Sequence, residues 1–197
     1  IKWEETATAE LGIDYGLWNN KFTGTLGVFQ KKSKDLLFSS PLADGTNFTN
    51  NIIKNIGELQ IRGVEFTLNT EILNSEDFNW NVNFNATYLD REITSLPLGR
   101  DQQVGFISGG TGATIQVHSE GFAPSSFYVF KQLYDAAGKP IEGAYADING
   151  DGIVNASDRY IKDNGVPDVT LGFQSSFNYK NLDFAFNLRA SIGNYAY

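Results

Sequence analysis

The 197-residue sequence predicts an all-β fold, a segment of a large transmembrane antiparallel β-barrel with long extracellular loops. Three observations predict it. Apolar and polar residues alternate over stretches of about eleven residues, the connections between these stretches are alternately short and long, and aromatic residues flank the short connections. Strands of a soluble sandwich alternate too, but they usually have about 5–6 residues. A strand that crosses a membrane needs about 9–11.

The first two predicted strands follow each other closely near the start of the chain. The apolar residues of the first are Ala7, Ala9, Leu11, Ile13, Tyr15 and Leu17. A short connection, residues 19–21, leads to a less regular second strand, which has Phe22, Leu26 and Val28 on one face and Phe29 on the other. Residues 35–57 are polar, with Pro41, Asp44 and Gly45, and predict a long loop.

The third and fourth predicted strands are separated by the short connection at residues 74–77. The third alternates through Val64, Phe66, Leu68 and Ile72. The fourth, "FNWNVNFNATY" at residues 78–88, alternates strictly and has an aromatic or aliphatic residue at every second position and asparagine or threonine between them. This pattern is typical of a strand with one apolar and one polar face. The polar face suits a water-filled lumen.

The last two predicted strands cover residues 169–179 and 182–192 and are joined by Lys180 and Asn181. A very long connection, residues 92–168, precedes them. Six strands of this length leave two open edges, which the hydrocarbon core of a membrane does not tolerate. We therefore expect residues 1–197 to contribute about six spanning strands to a larger barrel. The chain contains no methionine, and we expect Ile1 and Tyr197 to lie within a longer protein.

Composition excludes several classes of function. The net charge is −8 and no basic patch is present, which argues against nucleic acid as a partner. The absence of cysteine excludes disulfides, thiolate metal sites and a cysteine nucleophile. No run of about 18 apolar residues predicts a transmembrane helix.

The sequence indicates no catalytic site, and we predict that the chain is not an enzyme. The single histidine, His118, has no evident partner along the chain. Asp90, Glu92 and Asp101 lie near the end of a predicted strand and have no spacing that defines a glycosidase pair. A more natural role for these carboxylates is to bind a polar substrate at the mouth of the lumen.

The predicted extracellular region, residues 92–168, contains a calcium-type loop at residues 147–158. Two stretches in this region, "TIQVH" and "SFYVFKQLY", predict short strands above the membrane. Oxygen-bearing groups recur through "DINGDGIVNASD", and a glycine stands at its sixth position, where a sharp turn is needed. The expected ligands are Asp147, Asn149, Asp151, the carbonyl of Ile153, Asn155 and Asp158.

Two other interpretations of this loop stay open or are weaker. The same residues can form an asparagine- and glycine-rich turn that binds no metal. The loop also resembles half of a dockerin, but only one copy is present, and Gly165 and Pro167 follow too soon for the helix that a dockerin requires. Calcium is thus a possible cofactor, and no other is expected.

Taken in order, the strands, turns and loops resemble the SusC/RagA family of TonB-dependent outer-membrane transporters. The matching stretches span nearly the whole chain and include "NIGELQIRGVEFTLNTEI", "FNWNVNFNATYLDREIT" and "ADINGDGIVNASDRYI". The usual "GELQNRGVEF" pattern departs only at Ile61. The resemblance implies a 22-stranded barrel with an N-terminal plug, TonB-driven import of an oligosaccharide or peptide, and a SusD-like surface lipoprotein that caps the barrel. It implies an outer membrane of a Gram-negative, Bacteroidetes-type organism.

We therefore expect a non-enzymatic segment of a transporter. Its expected partners are the rest of the barrel and its plug, TonB acting through the plug, the SusD-like lipoprotein, membrane lipid and the oligosaccharide or peptide. The alternative is a soluble extracellular calcium-binding β-module that binds carbohydrate or mediates adhesion. A third hypothesis is a fragment of a glycan-processing enzyme.

Overall fold

The structure is a computed structural model that describes residues 1–41, 51–96, 99, 101–106 and 114–197. Its main element is a six-stranded antiparallel sheet with the strand order β1-β2-β3-β4-β11-β12. These strands are β1 (Glu5–Leu17), β2 (Phe22–Pro41), β3 (Asn51–Asn74), β4 (Phe78–Ser95), β11 (Val169–Tyr179) and β12 (Leu182–Ile192). The six predicted spanning strands are all present, and they pair in chain order.

Strand register keeps each face of the sheet uniform from one strand to the next. Phe84 on β4 lies between Leu68 on β3 and Phe173 on β11, and Leu188 on β12 continues the same row. Between Phe78 and Tyr88 the pairing of β4 with β11 has no irregularity. Because side chains alternate between faces, this register collects the apolar positions of all six strands on one side.

Strand lengths differ across the sheet. Strands β11 and β12 have 11 residues each, whereas β2, β3 and β4 have 20, 24 and 18. Strands β2 and β3 therefore extend into both ends of the loop predicted at residues 35–57. Residues 42–50 of that loop lie outside the described residues. The predicted loop at 92–168 likewise begins later, because β4 continues to Ser95.

The described residues between 96 and 168 form a second structured unit, which we call the outer region. A four-stranded antiparallel sheet in the order β10-β7-β6-β5 and a separate hairpin, β8-β9, make up most of it. The strands are β5 (Gln102–Phe106), β6 (Thr114–His118), β7 (Ser126–Phe130), β8 (Gln132–Tyr134), β9 (Pro140–Tyr145) and β10 (Arg159–Asn164). The short strands predicted from "TIQVH" and "SFYVFKQLY" are thus confirmed. A 3₁₀ turn covers Ala156–Asp158.

The outer region is attached along the upper half of β4. The pairing of β4 with β11 ends at Tyr88. Beyond Tyr88, the outer region supplies the hydrogen-bond partners of β4. The amide of Leu89 donates to the Asp168 carbonyl, and Ile93 exchanges backbone hydrogen bonds with Gly121 and Phe122. The free edge of β4 is therefore covered. Among the described residues, the buried apolar side chains lie in this part of the molecule: Ile93, Leu96, Val117 and Phe127.

The opposite end of the main sheet consists of tight turns. Trp18, Asn19 and Asn20 all have positive φ, as does Lys180. The Lys180 amide donates to the Asp77 carbonyl across two neighbouring turns. Among the described residues, no helix is long and apolar enough to cross a membrane.

Candidate functional site

The lower part of the main sheet has two chemically different faces. The face that carries Phe84, which we call the apolar face, exposes large side chains on every strand, among them Leu11, Ile13, Leu26, Val28, Val64, Leu188 and Ile192. The opposite, polar face carries asparagine, threonine, serine and glycine, with a few charged residues. Exposed apolar surface on this scale is typical of a face that contacts a partner or a membrane.

The two faces exchange character along β2, β3 and β4. Beyond Val28, Val64 and Tyr88, the next positions on the apolar face are Gln30, Arg62 and Asp90. At the same level the polar face acquires Phe29 and Leu89, and two rows higher it acquires Ile93. A single sheet is thus apolar on one side below this level and on the other side above it.

This inversion indicates that the strands pass from one environment to another along their length. Above it, the inward apolar side chains pack as an ordinary core beneath the outer region, where Ile93 and Val117 are only 4% and 0% exposed. Below the inversion, the apolar side chains lie on the opposite face of the sheet, and no layer covers them within the described residues. A sheet in uniform water buries one face along its whole length, whereas a sheet that leaves a membrane changes its buried face.

Aromatic rings that lie over glycines hold neighbouring strands close together. Tyr15 crosses Gly24, and its hydroxyl donates to the Thr67 carbonyl at 2.8 Å. Phe29 covers Gly63, where an added Cβ would lie 2.4 Å from the ring. At Gly63 the ring occupies the space of a side chain, whereas at Gly24 an added Cβ would meet the Thr67 carbonyl oxygen first and then the Tyr15 hydroxyl.

Some polar side chains on the apolar face hydrogen-bond to one another. The Trp80 indole nitrogen donates to the Ser175 hydroxyl at 2.9 Å, and Ser175 is 2% exposed. Such pairing suits an apolar medium, where an unsatisfied donor is costly. The Thr70 hydroxyl, in contrast, is buried and has no hydrogen-bond partner among the described residues.

Aromatic residues near the short turns make contacts with one another. Trp18 and Phe22 pack edge to face with their ring centroids 5.3 Å apart. Phe177 stacks on Phe184 at 5.0 Å, and Phe78 approaches Tyr179 at 6.4 Å. They form a band at the turn end of the apolar face, as an interfacial girdle would.

The calcium-type loop at residues 147–158 is closed by hydrogen bonds from its own backbone. Asp147 accepts from the amides of Gly150 and Gly152, each at 2.7 Å. Both glycines have positive φ, which the tight curvature requires. The first predicted ligand therefore lies at the centre of the turn.

Asp158, the last predicted ligand, is fully buried and anchors the loop from the other end. Its two carboxylate oxygens accept three backbone amides, those of Ile148, Asn149 and Asn155. The Asn155 amide, followed by those of Asn149 and Ile148, lowers the pKa of Asp158 below its ordinary value of 3.8. A carboxylate held in this way orders the loop as an anion.

The other predicted ligands are nearby but are engaged locally. Asp151 accepts from the amide of Ile153 and from the Asn149 side chain. The Asn155 side chain accepts from Ser157 and donates to the Ile153 carbonyl. Within the described residues no three acidic or histidine side chains form a metal-binding group. Calcium therefore stays a prediction from the spacing of the loop.

The candidate catalytic residues do not come together. Asp90 and Glu92 share the strand face of Tyr88, so they point away from the polar face, contrary to a role at the mouth of the lumen. His118 lies in β6, where its Nδ1 accepts the Ser125 amide at 3.1 Å, and burial lowers its pKa. Asp101 is exposed beside β5. His118 is a structural residue in this arrangement.

Sequence patterns missed the inversion of polarity and the attachment of the outer region to β4. The signal was present in the apolar positions Phe29, Leu89 and Ile93, which break the alternation of their strands in a common direction. Without the register between strands, the three breaks have no evident relation.

Comparison with known proteins gives consistent results. The family model "TonB dependent receptor-like, beta-barrel" matches residues 1–195. The TonB-dependent receptor SusC of Bacteroides thetaiotaomicron is 41% identical over 202 residues, which cover 100% of this chain and 20% of that protein. The TonB-dependent receptor P3 of Formosa agariphila is 32% identical over 212 residues, which cover 98% of this chain and 21% of that protein. The chain thus spans about a fifth of the length of these relatives.

Solved structures show the same fold. A structure of the RagAB peptide transporter has a TM-score of 0.75 at 20% identity, covering 98% of this chain and 22% of that chain. The RagAB peptide importer in its "open-open" state has a TM-score of 0.79 at 22% identity, with 98% and 21% covered.

Proposed function

Because the chain belongs to the TonB-dependent receptor-like β-barrel family, we propose that it forms part of an outer-membrane transporter that imports a large nutrient. The nutrient is an oligosaccharide or a peptide. The matched structures carry the name of a peptide transporter, whereas the name of SusC specifies no substrate, so the comparisons favour import without deciding between the two classes.

The inversion of polarity supports this function most directly. Strands β11 and β12 are 11 residues long, which matches the length that spans a bilayer. The apolar face of this level contacts acyl chains, and the polar face lines the lumen. The longer strands β2, β3 and β4 continue above the membrane, where they carry the outer region.

The barrel requires partners beyond this chain. The six strands leave β1 and β12 as open edges, which further strands of the same protein would pair. A plug within the barrel, TonB acting on that plug and a SusD-like lipoprotein at the outer surface complete the proposed machine. The relatives in Bacteroides and Formosa support an outer membrane of the Bacteroidetes type as its location.

Calcium binding at residues 147–158 is a separate part of the proposal. Its support is the spacing of the six ligands together with the curvature set by Gly150 and Gly152. The ion would brace the loop on the extracellular side and take no part in chemistry. Extracellular sites of this type bind calcium weakly, with dissociation constants of roughly 10⁻⁴–10⁻³ M.

The soluble β-module and the enzyme fragment are not favoured. In a soluble module the same face of the sheet would be buried along the whole length of each strand, and the inversion of polarity contradicts this. The matched relatives are named as receptors, and the family model describes a receptor barrel. The chain is accordingly a non-enzymatic segment.

Uptake by the host bacterium tests the transport function. Cells with the gene deleted are compared with cells that carry it on a plasmid, with labelled oligosaccharides and labelled peptides supplied separately. We expect the deletion to abolish uptake of one nutrient class, and removal of TonB to have the same effect. Unchanged uptake of both classes in the deleted strain would contradict the proposal.

A further inference from the structure

The polar face of β4, β11 and β12 contains a recess centred on Gly172. Two adjacent rows of the sheet line it. The upper row is Asn85, Gly172 and Arg189, and the lower row is Asn83, Gln174 and Asn187. The recess thus combines four side-chain amides with one guanidinium.

Gly172 makes the recess possible. A Cβ added at this position would lie 2.6 Å from the Asn85 amide nitrogen, which shows that the Asn85 side chain leans over the glycine. Gly27, on the polar face of β2, has open space around the same position. Glycine at 172 therefore admits a neighbouring side chain, and the recess depends on it.

The charge of Arg189 has no counterpart among the described residues. The ion pairs of the structure join Lys2 to Asp35, Lys162 to Asp163 and Lys180 to Asp77. On the same face, Glu65 lies one row up and three strands away, at about 16 Å, and Asp183 lies six residues along β12, at about 20 Å. Neither reaches the guanidinium.

We propose that this recess binds a carboxylate. In a lumen narrowed by a plug, a guanidinium loses water and requires an anion to offset that loss. The planar fork of Arg189 fits the two oxygens of a carboxylate, and the Asn85 amide can donate a further hydrogen bond from the opposite side. This inference shares one premise with the proposed function, namely that the polar face of the sheet lines the lumen.

The carboxylate has two conceivable sources, an acidic side chain of the same full-length protein or a carboxyl-bearing solute in the lumen. Phenylglyoxal modification of Arg189, followed by peptide mass spectrometry of the full-length protein in detergent, distinguishes them. For a solute, succinate slows the modification about tenfold and neutral succinamide does not. The Gly172→Ala variant loses this protection, whereas Gly27→Ala retains it.

For an acidic side chain, Arg189 resists phenylglyoxal with or without succinate. The Arg189→Lys variant then forms a zero-length carbodiimide cross-link to an aspartate or glutamate, which mass spectrometry identifies. If succinate gives no protection and Arg189→Lys gives no cross-link, the proposal is wrong. Neither readout involves uptake, so this site and the transport function can fail independently of each other.

Discussion

At the scale of single residues, Asp158 holds the calcium-type loop together. It is fully buried, and three backbone amides from both ends of the loop converge on its carboxylate. Buried donors that lose such an acceptor are costly. The loop is thus ordered by an internal anion, whether or not a metal binds.

The Asp158→Asn variant tests this role. The amide places a donor where backbone amides already donate, so we expect hydrogen exchange at Ile148, Asn149 and Asn155 to become faster at neutral pH. In the wild type, a folded pKa below 3.8 means that protection is present above pH 3.8 and is lost as the pH falls through the folded value.

Hydrogen exchange with mass spectrometry, applied to the full-length protein between pH 3 and pH 7, measures both effects. The Asp135→Asn variant is the control, because Asp135 accepts two amides in the exposed β8-β9 turn and does not touch the loop. Equal protection of the loop in wild type and Asp158→Asn would contradict the anchoring role.

Calcium binding is tested at Asp151. This side chain is exposed and engaged only with Ile153 and Asn149, so its removal leaves the buried Asp158 in place. We expect calorimetry at millimolar calcium to show binding to the wild type, and binding at least about tenfold weaker for Asp151→Ala. Asp135→Ala should behave as the wild type, and identical heats for all three proteins would remove the proposed site.

Sequence reasoning reached part of this local structure. The spacing of residues 147–158 correctly predicted a sharp turn at Gly152, the sixth position of the loop. It could not predict that Asp158 would be buried under three amides, because spacing gives the order of oxygens along a chain and not the donors that surround them. The role assigned to Asp90 and Glu92 failed because the face of a strand is defined only by register.

At the scale of elements, the sheet depends on close contacts between aromatic rings and glycines. Phe29 covers Gly63 on the neighbouring strand, and Leu89 approaches the same glycine from the other side. This contact lies at the level where the polar face becomes apolar. It joins the membrane part of the sheet to the core beneath the outer region.

The Gly63→Ala variant should weaken this junction. Its Cβ would lie 2.4 Å from the Phe29 ring, and overpacking of this kind costs about 1–3 kcal/mol. Gly12→Ala is the matched control, since nothing lies within 4 Å of the added carbon. Thermal unfolding of the full-length protein in detergent should show a lower midpoint for Gly63→Ala alone. Equal midpoints would show that the contact is unimportant.

Sequence reasoning performed well for the strands themselves. Alternation located all six, because a strand with two different environments repeats every second residue. The predicted lengths of β2, β3 and β4 were too short, because the alternation is interrupted where the two faces exchange character. The break at Phe29 was visible in the sequence, but its meaning required Gly63 opposite to it.

At the scale of the whole molecule, the account depends on which face of the sheet meets lipid. Below the inversion the apolar face is exposed on every strand, and the polar face carries amides, hydroxyls and charges. The family match gives the same barrel. We propose that the long outer region, which covers the upper half of β4, stands on the extracellular side.

Paired charge substitutions on β4 test this orientation most directly. Phe84 lies in the middle of the apolar face and Asn81 lies on the polar face, three positions away. An arginine that faces lipid at the midplane costs about 2–4 kcal/mol, whereas one that faces a lumen is tolerated. The measurement is the amount of heat-modifiable, folded full-length protein in the outer membrane. The account predicts a large loss for Phe84→Arg and near wild-type assembly for Asn81→Arg; equal assembly of both, or a loss confined to Asn81→Arg, would contradict it.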